Sequence, residues 1–458
     1  MNKMTLQNIA TACGGEYIGD QMLLTKRTFG VTIDSRKVEL GFLFIATVGE
    51  RVDGHDFIPL AYQKGALCVI SERKLENPAG PYILVTSSFQ ALKDIAKFYR
   101  ENLSIKVVGI TGSVGKTSTK EVIASVLSTK YKVLKTQGNF NNEVGLPLTI
   151  LNIRGEHQVA VLEMGISDFG EMERLSDIAK PDVCVITNIG LCHLENLKTQ
   201  NGILQAKTEM FEHMNPEGDI IINGDDKYLA TIKKVRGIVP KTFGYEQTNT
   251  LSVSHVENLG LDGSKFEIHD GLTKYNAEVL LPGRHMIINA AAAALVGKVL
   301  GLSQEQIIEG IRNVEAVDGR SNLIHTGFVT IIDDCYNANP VSMKSSIELL
   351  SMANTRKVAI LGDMFELGEN ENRLHENVGI YTGEKQIDLV LCVGERSQYI
   401  YQGALKNLES ERVFLFQNKE DLIKELSNLI KKGDSILVKA SHGMQFTEIV
   451  EELKNISE

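Results

Sequence analysis

The sequence has no closely spaced cysteine pair, no long apolar run and no excess of basic residues. Its six cysteines, Cys13, Cys68, Cys184, Cys192, Cys335 and Cys392, are scattered with no CxxC pair. That spacing argues against a zinc ribbon or a disulfide framework and fits reduced, mostly buried thiols in a cytoplasm. No segment approaches the roughly 18 uninterrupted apolar residues of a membrane-spanning helix. The most apolar helix candidate, residues 289–300, is broken by Gly297 and Lys298. The first twenty residues lack the apolar core of a signal peptide and read as the opening helix of a folded domain. Lys plus Arg number 48 against 58 Asp plus Glu, a net charge of −10, which argues against a general nucleic-acid binder. Hydrophobic residues make up 43%, enough to exclude intrinsic disorder. The expectation is a soluble intracellular protein, without membrane insertion and without nucleic acid.

What is present is an alternation of short β-branched runs with helical stretches, the pattern of an α/β protein with largely parallel sheets. Strands are expected at 106–110, 159–163, 183–187, 358–361, 389–393 and 435–438, and helices at 116–129, 340–352 and 419–431. At about 150 residues per domain, 458 residues make roughly three units. The turn-rich Glu76–Gly80 stretch precedes a strand ending near Val85, and EAVDGRSN precedes a new βα series. These place the boundaries near Val85 and Val317, giving segments 1–85, 86–317 and 318–458.

The strongest local signal is VVGITGSVGKTSTKE, Val107 to Glu121. A buried strand enters a glycine-bearing turn and a helix opens at Lys116. Backbone N–H groups in such a turn, together with the positive end of the helix dipole, cradle phosphates. Lys116 would reach the β- and γ-phosphates and the Thr117 hydroxyl would ligate Mg²⁺. Position 110, where the common GxxxxGK[ST] pattern begins with glycine, is isoleucine, and the spacing here is the tighter TGxxGKT. The competing reading is a Gly-Lys turn that merely caps a helix.

Other candidates follow strand ends, where ligands bind in open α/β sheets. Glu163 ends VAVLE, His193 follows a second apolar strand, and Lys207 lies on the next helix. Their plainer readings are a solvated strand end, a loop histidine and an exposed helix face. Farther on, an apolar strand ends in Asp333-Asp334, then Cys-Tyr-Asn-Ala-Asn-Pro. An aspartate there can accept from a ribose hydroxyl, while Asn337, Asn339 and Pro340 can equally form a turn and begin a helix.

Taken together, these residues resemble the ATP-dependent Mur ligases of peptidoglycan precursor synthesis, along the whole chain. TIDSRKVELGFLFIATVGERVDGHDFI is similar to the UDP-sugar-binding domain of that family. TGSVGKTSTKE, GNFNNEVGLPLTIL, DDCYNANPVSM and LGDMFELGENE are similar to its pentapeptide-forming branch. The DNPR motif usual in the tripeptide-forming branch is absent. The resemblance implies three domains: a small α/β UDP-binding domain, a P-loop ATPase domain with a parallel sheet, and a C-terminal Rossmann-like domain. It implies that Gly112, Ser113, Val114, Gly115, Lys116, Thr117 and Ser118 hold the ATP phosphates. Thr117 and Glu163 would share one Mg²⁺ and His193 a second. Lys207 matches a lysine that relatives carbamylate. Asn289 would contact adenine, Arg320 the phosphates and Asp334 the ribose. Ser35 and Arg36 match the uridine-diphosphate side, and Asn142, Asn337 and Asn339 are implied at the other substrates.

The implied reaction joins D-alanyl-D-alanine to UDP-N-acetylmuramoyl-tripeptide through an acyl phosphate, with Lys116, Glu163, His193 and Lys207 as its catalytic residues. Alternatives are a related ligase adding another amino acid or depsipeptide, and a non-catalytic nucleotide-binding paralogue. Two departures stand out. GRHNxxNA reads GRHMIINA here, with Met286 in place of asparagine, and KGSR reads KASH, with His442 in place of arginine.

Overall fold

The computed structural model describes residues 1, 3–49, 52–271 and 273–456. It contains sheets of five, nine and six strands. The chain divides into two compact units, residues 1–111, 130–185 and 207–220, and residues 112–129, 186–206 and 221–458. Among the described residues no helix is long and apolar enough to cross a membrane.

The first unit opens with a five-stranded sheet ordered Glu16–Ile18, Tyr82–Leu84, Cys68–Ser71, Leu43–Ile45, Val31–Thr32. Its strands are parallel except Glu16–Ile18, which pairs antiparallel with Tyr82–Leu84. After the helix Ser88–Glu101 come three further parallel strands, with Val159–Glu163 between Lys106–Thr111 and Val133–Lys135. Burial explains their composition. Val107, Val108, Ile110, Val161 and Leu162 are all shut off from solvent, so these strands carry continuous apolar runs where a half-exposed strand would alternate. The strand therefore ends where side chains turn polar, at Thr111 and Glu163.

The second unit begins at Gly112 and contains the helix Lys116–Ser128. It also holds the hairpins Leu251–Asn258, Ser264–His269 and Lys274–Val279, which pair antiparallel in sequence. The apolar helix Arg284–Val299 follows, buried along most of its length because its middle is a run of alanines small enough for close packing. The six-stranded sheet is ordered Asn322–His325, Thr330–Asp333, Ser435–Lys439, Lys357–Gly362, Leu389–Val393, Val413–Phe416. It is parallel except at the Asn322–His325 edge. Apolar clusters cover both faces, one around Ile332, Leu361 and Leu437, the other around Ile331, Ile360 and Val438. Alternate residues of each strand thus feed opposite cores.

Most expected elements are present within one or two residues. The helix expected at 116–129 spans Lys116–Ser128, and that at 340–352 spans Pro340–Ser351. Asn339 caps the latter through its side chain, which accepts from Ser342 N, while the Ser342 hydroxyl accepts from Asn339 N.

Candidate functional site

The glycine turn has the shape its residue types require. Gly112 has φ +153° and Gly115 has φ +83°, conformations that side-chain-bearing residues rarely adopt. At Gly112 a Cβ would lie 1.9 Å from Thr187 Oγ1, so glycine is also demanded by crowding. Gly115 is the N-cap of Lys116–Ser128 and offers no capping side chain, which leaves the helix terminus open toward a ligand. Lys116 Nζ folds back to donate to Gly112 O at 2.9 Å. Thr117 is buried on the first helical turn.

Two residues that the sequence reading passed over brace this turn. Ser113 N donates to Asn188 O at 3.0 Å and Val114 N to Asn188 Oδ1 at 3.0 Å. Asn188 Nδ2 and Thr187 Oγ1 both donate to Val114 O at 2.8 Å. Their signal was a polar Thr-Asn pair directly after an apolar strand. Thr119 Oγ1 donates to Asn289 Oδ1 at 2.9 Å, and Asn289 Nδ2 approaches Met286 Sδ at 3.6 Å. Met286 is thus a soft acceptor that helps orient the Asn289 amide, which gives the first departure a physical role.

Across from the turn, Asp334 is 7% exposed and surrounded by donors. Its carboxylate accepts from Ser321 N at 3.0 Å, Ser346 Oγ at 2.5 Å and Lys439 Nζ at 2.5 Å. Lys439 also donates to Asn337 O at 3.0 Å. Asp333, the other strand-end carboxylate, accepts from Gly319 N at 3.0 Å and so fixes the entry to this sheet. The Arg320 guanidinium lies 4.0 Å from the centroid of the Tyr336 ring, and its buried Nε lacks a hydrogen-bond acceptor. His442, the second departure, packs against the same Tyr336 ring, with 5.3 Å between the two ring centroids.

These residues surround one cavity of about 210 Å³. Its walls include Gly115 and Ser118 from the turn, Asn289, Arg320, Asp334 and Lys439. Six positions singled out from sequence, Val114, Gly115, Ser118, Asn289, Arg320 and Asp334, therefore converge here from distant parts of the chain. His285 also lines it, and burial pushes its imidazole below the ordinary range, Asp334 acting to raise it and Lys439 to lower it.

His193 stands elsewhere in the second unit at φ +50°, with Nδ1 3.2 Å from Glu366 Oε2. Asn337 Oδ1 accepts from Ala338 N at 2.9 Å, a local turn contact.

In the first unit, Glu163 is 2% exposed, which excludes the solvated-strand-end reading. Its Oε1 accepts from Asn141 Nδ2 at 2.8 Å, whereas its buried Oε2 has no hydrogen-bond partner. An orphaned carboxylate oxygen is the donor a cation requires. Asn141, beside the predicted Asn142, makes this contact; Asn142 Oδ1 accepts from Val144 N at 3.2 Å and Gly145 N at 2.9 Å, in the turn before the helix Gly145–Leu151. Lys207 is 1% exposed, so it does not sit on an exposed helix face. Ser35 is buried, and Arg36 is largely exposed with its guanidinium held by Asp34 at 2.9 Å.

Three family models cover most of the chain. "Mur ligase family, catalytic domain" matches residues 28–108, "Mur ligase middle domain" 110–297 and "Mur ligase, glutamate ligase domain" 319–442. The chain is 38% identical to UDP-N-acetylmuramoyl-tripeptide--D-alanyl-D-alanine ligase of Bacillus subtilis, over 99% of each chain. Among solved structures it is similar to MurF from Acinetobacter baumannii, with a TM-score of 0.89, 30% identity and 99% of both chains covered. It is also similar to MurF ligase from Thermotoga maritima in complex with ADP, with a TM-score of 0.82 and 33% identity over 93% of this chain and 97% of that one.

Proposed function

The chain belongs to the Mur ligase family, and on that premise we propose that it is an ATP-dependent ligase forming the amide bond between UDP-N-acetylmuramoyl-tripeptide and D-alanyl-D-alanine, a step of peptidoglycan synthesis. The observation that carries the nucleotide half of this reading is the cavity shared by the glycine turn, Asn289, Arg320 and Asp334. It pairs an open helix N-terminus with a carboxylate able to face a ribose, as an adenine nucleotide demands.

The chemistry follows from the weakness of a carboxylate as an acyl donor. The peptide carboxylate attacks the γ-phosphorus of ATP, ADP leaves, and an acyl phosphate forms. The amine of D-alanyl-D-alanine then adds to the acyl carbon, and the tetrahedral intermediate expels inorganic phosphate and loses a proton. Lys116 leaves the Gly112 carbonyl to meet the transferring phosphoryl group, and Arg320 adds a second cation. Mg²⁺, when bound, neutralises phosphate charge, and the residues proposed for it are Thr117, Glu163 and His193; the orphaned Glu163 Oε2 fits that role. Carbamylation of Lys207 would replace a buried cation with an anionic ligand. Ser35 and Arg36 are proposed for the uridine diphosphate, with Asn142, Asn337 and Asn339 supporting the other substrates. Segments 1–85, 86–317 and 318–458 are proposed as the three functional domains, acting as a monomer in the cytoplasm.

Phosphate release measured with each substrate omitted in turn tests the reading. The expected result is release that requires both UDP-N-acetylmuramoyl-tripeptide and D-alanyl-D-alanine, with pentapeptide formed in equal amount. Release unaffected by omitting the dipeptide would overturn it. Lys116→Ala is expected to lower kcat by at least about 100-fold, the effect of removing one charge-stabilising donor.

A further inference from the structure

Among the described residues, one group of three His, Cys, Asp or Glu side chains has its ligand atoms all within 4.8 Å of one another: His255, Glu267 and His269. None of them lines the nucleotide cavity. Glu267 and His269 are two apart on Ser264–His269 and so share a face of the strand. Ser254 and Ser252 stand opposite them on Leu251–Asn258. By simple alternation His255 would point to the other face.

It does not, because the pairing register shifts between Ser254 and Glu257 and His255 takes φ +49°. A left-handed conformation at a residue with a Cβ costs about 1–2 kcal/mol. The bulge turns the imidazole back, placing Nδ1 3.3 Å from Glu267 Oε1, while His269 Nε2 lies 2.5 Å from the same oxygen. Yet Glu267 Oε1, closed off from solvent, accepts no hydrogen bond of directional geometry from either ring. Ser254 Oγ completes the group, 3.0 Å from His255 Nδ1 and 2.8 Å from His269 Nε2.

From this geometry we propose that His255, Glu267 and His269 form a site for a borderline divalent transition cation of the Zn²⁺ type. Two imidazole nitrogens and one carboxylate oxygen are a zinc donor set; Mg²⁺ prefers oxygen alone. Tetrahedral ligands at about 2.0–2.2 Å from zinc stand about 3.3 Å apart, the separation already held by His255 and Glu267. The His269 pair needs to open by less than about 1 Å. The fourth position falls to water or Ser254 Oγ, on the side where His255 is mostly exposed. Lys274 Nζ, 3.6 Å from Glu267 Oε1, is the competitor the metal displaces, and its largely exposed side chain is free to swing away. The bound ion would staple the two strands across the bulge.

The full chain, stripped with a chelator and held in excess Mg²⁺ to occupy oxygen-rich sites, is titrated with Co²⁺ and followed by visible absorption. The wild type is expected to take up one equivalent with the d–d bands of four-coordinate Co²⁺, displaced by Zn²⁺. His269→Ala and His255→Ala are expected to weaken binding at least tenfold, and Lys274→Met to tighten it at least twofold. Absence of those bands in the wild type, or their retention in a His255→Ala/His269→Ala variant, overturns the proposal. If the alanine variants do not fold, Lys274→Met decides, and unchanged or weaker binding there overturns it.

Discussion

The turn at Gly112–Gly115 and the polar web around Asp334 face the same cavity, but they are held differently. In the turn, Ser113 N, Val114 N and Val114 O make the contacts, so the chain's backbone is what is fixed. Around Asp334 the contacts belong to side chains, and one of them is an ion pair with Lys439 in which both side chains are at least nine-tenths buried. The same sheet holds other side-chain contacts at its strand ends: Asp363 accepts from Ser397 N and Oγ, and His375 Nε2 accepts from Met364 N at 2.9 Å. A backbone-held site tolerates changes in side-chain chemistry but not in volume at its glycines. A site held by side chains is sensitive to charge and to protons.

The largest effect should come from the charged side. Lys439→Met leaves the Asp334 carboxylate buried without its cation and is expected to cost about 3–5 kcal/mol in denaturant unfolding. Adding Asp334→Asn should recover much of that loss. A single-variant cost below about 1 kcal/mol would mean that the two walls are not held differently after all.

On the backbone side, Gly112→Ala puts a Cβ against Thr187 and strains φ. The expectation is a loss of about 1–3 kcal/mol with a steep fall in ATP affinity, measured by calorimetry. A matching Ser113→Ala change, which keeps the backbone, should leave affinity within about threefold, since its side chain adds only one long hydrogen bond, from Oγ to Gly190 O at 3.4 Å.

The smallest effect is one of pH. Burial pushes the His375 imidazole below its ordinary value, and Nδ1 donates to Glu371 O while Nε2 accepts, so the ring is held neutral. The unfolded chain then binds the proton more readily. This contribution to stability is complete above the ordinary histidine value of about 6.5 and declines as pH falls below it. Thermal unfolding of His375→Gln between pH 7.5 and 5.5 should show a flatter slope than the wild type; an unchanged slope would assign the acid sensitivity elsewhere.

The same contrast accounts for what could be read from the amino-acid string. The turn was legible because its evidence is contiguous: strand, glycines, Lys116, Thr117 and helix follow one another. The ends of Val159–Glu163 and Leu389–Val393 were legible because burial on both faces makes the apolar run as long as the strand. The Asp334–Lys439 pair was not, because its partners are 105 residues apart and meet only through a crossover in strand order. Asn188 and Thr187 escaped notice for a related reason, as nothing local says which loop a strand-end amide will brace. Position 286 read as a departure because methionine lacks an amide; only packing shows its sulfur beside Asn289.

The strand order also bears on how the protein is made. Ser435–Lys439 lies between Thr330–Asp333 and Lys357–Gly362, although it is synthesised long after both. At ribosomal speeds of about 5–20 residues per second, the 105 residues between Asp334 and Lys439 take roughly 5–20 s to emerge. Throughout that interval Asp334 has no counter-ion, and once Lys357–Gly362 has been made two apolar strand edges wait with a gap between them. The strand whose lysine closes the Asp334 side of the cavity is thus the last strand of its sheet to leave the ribosome.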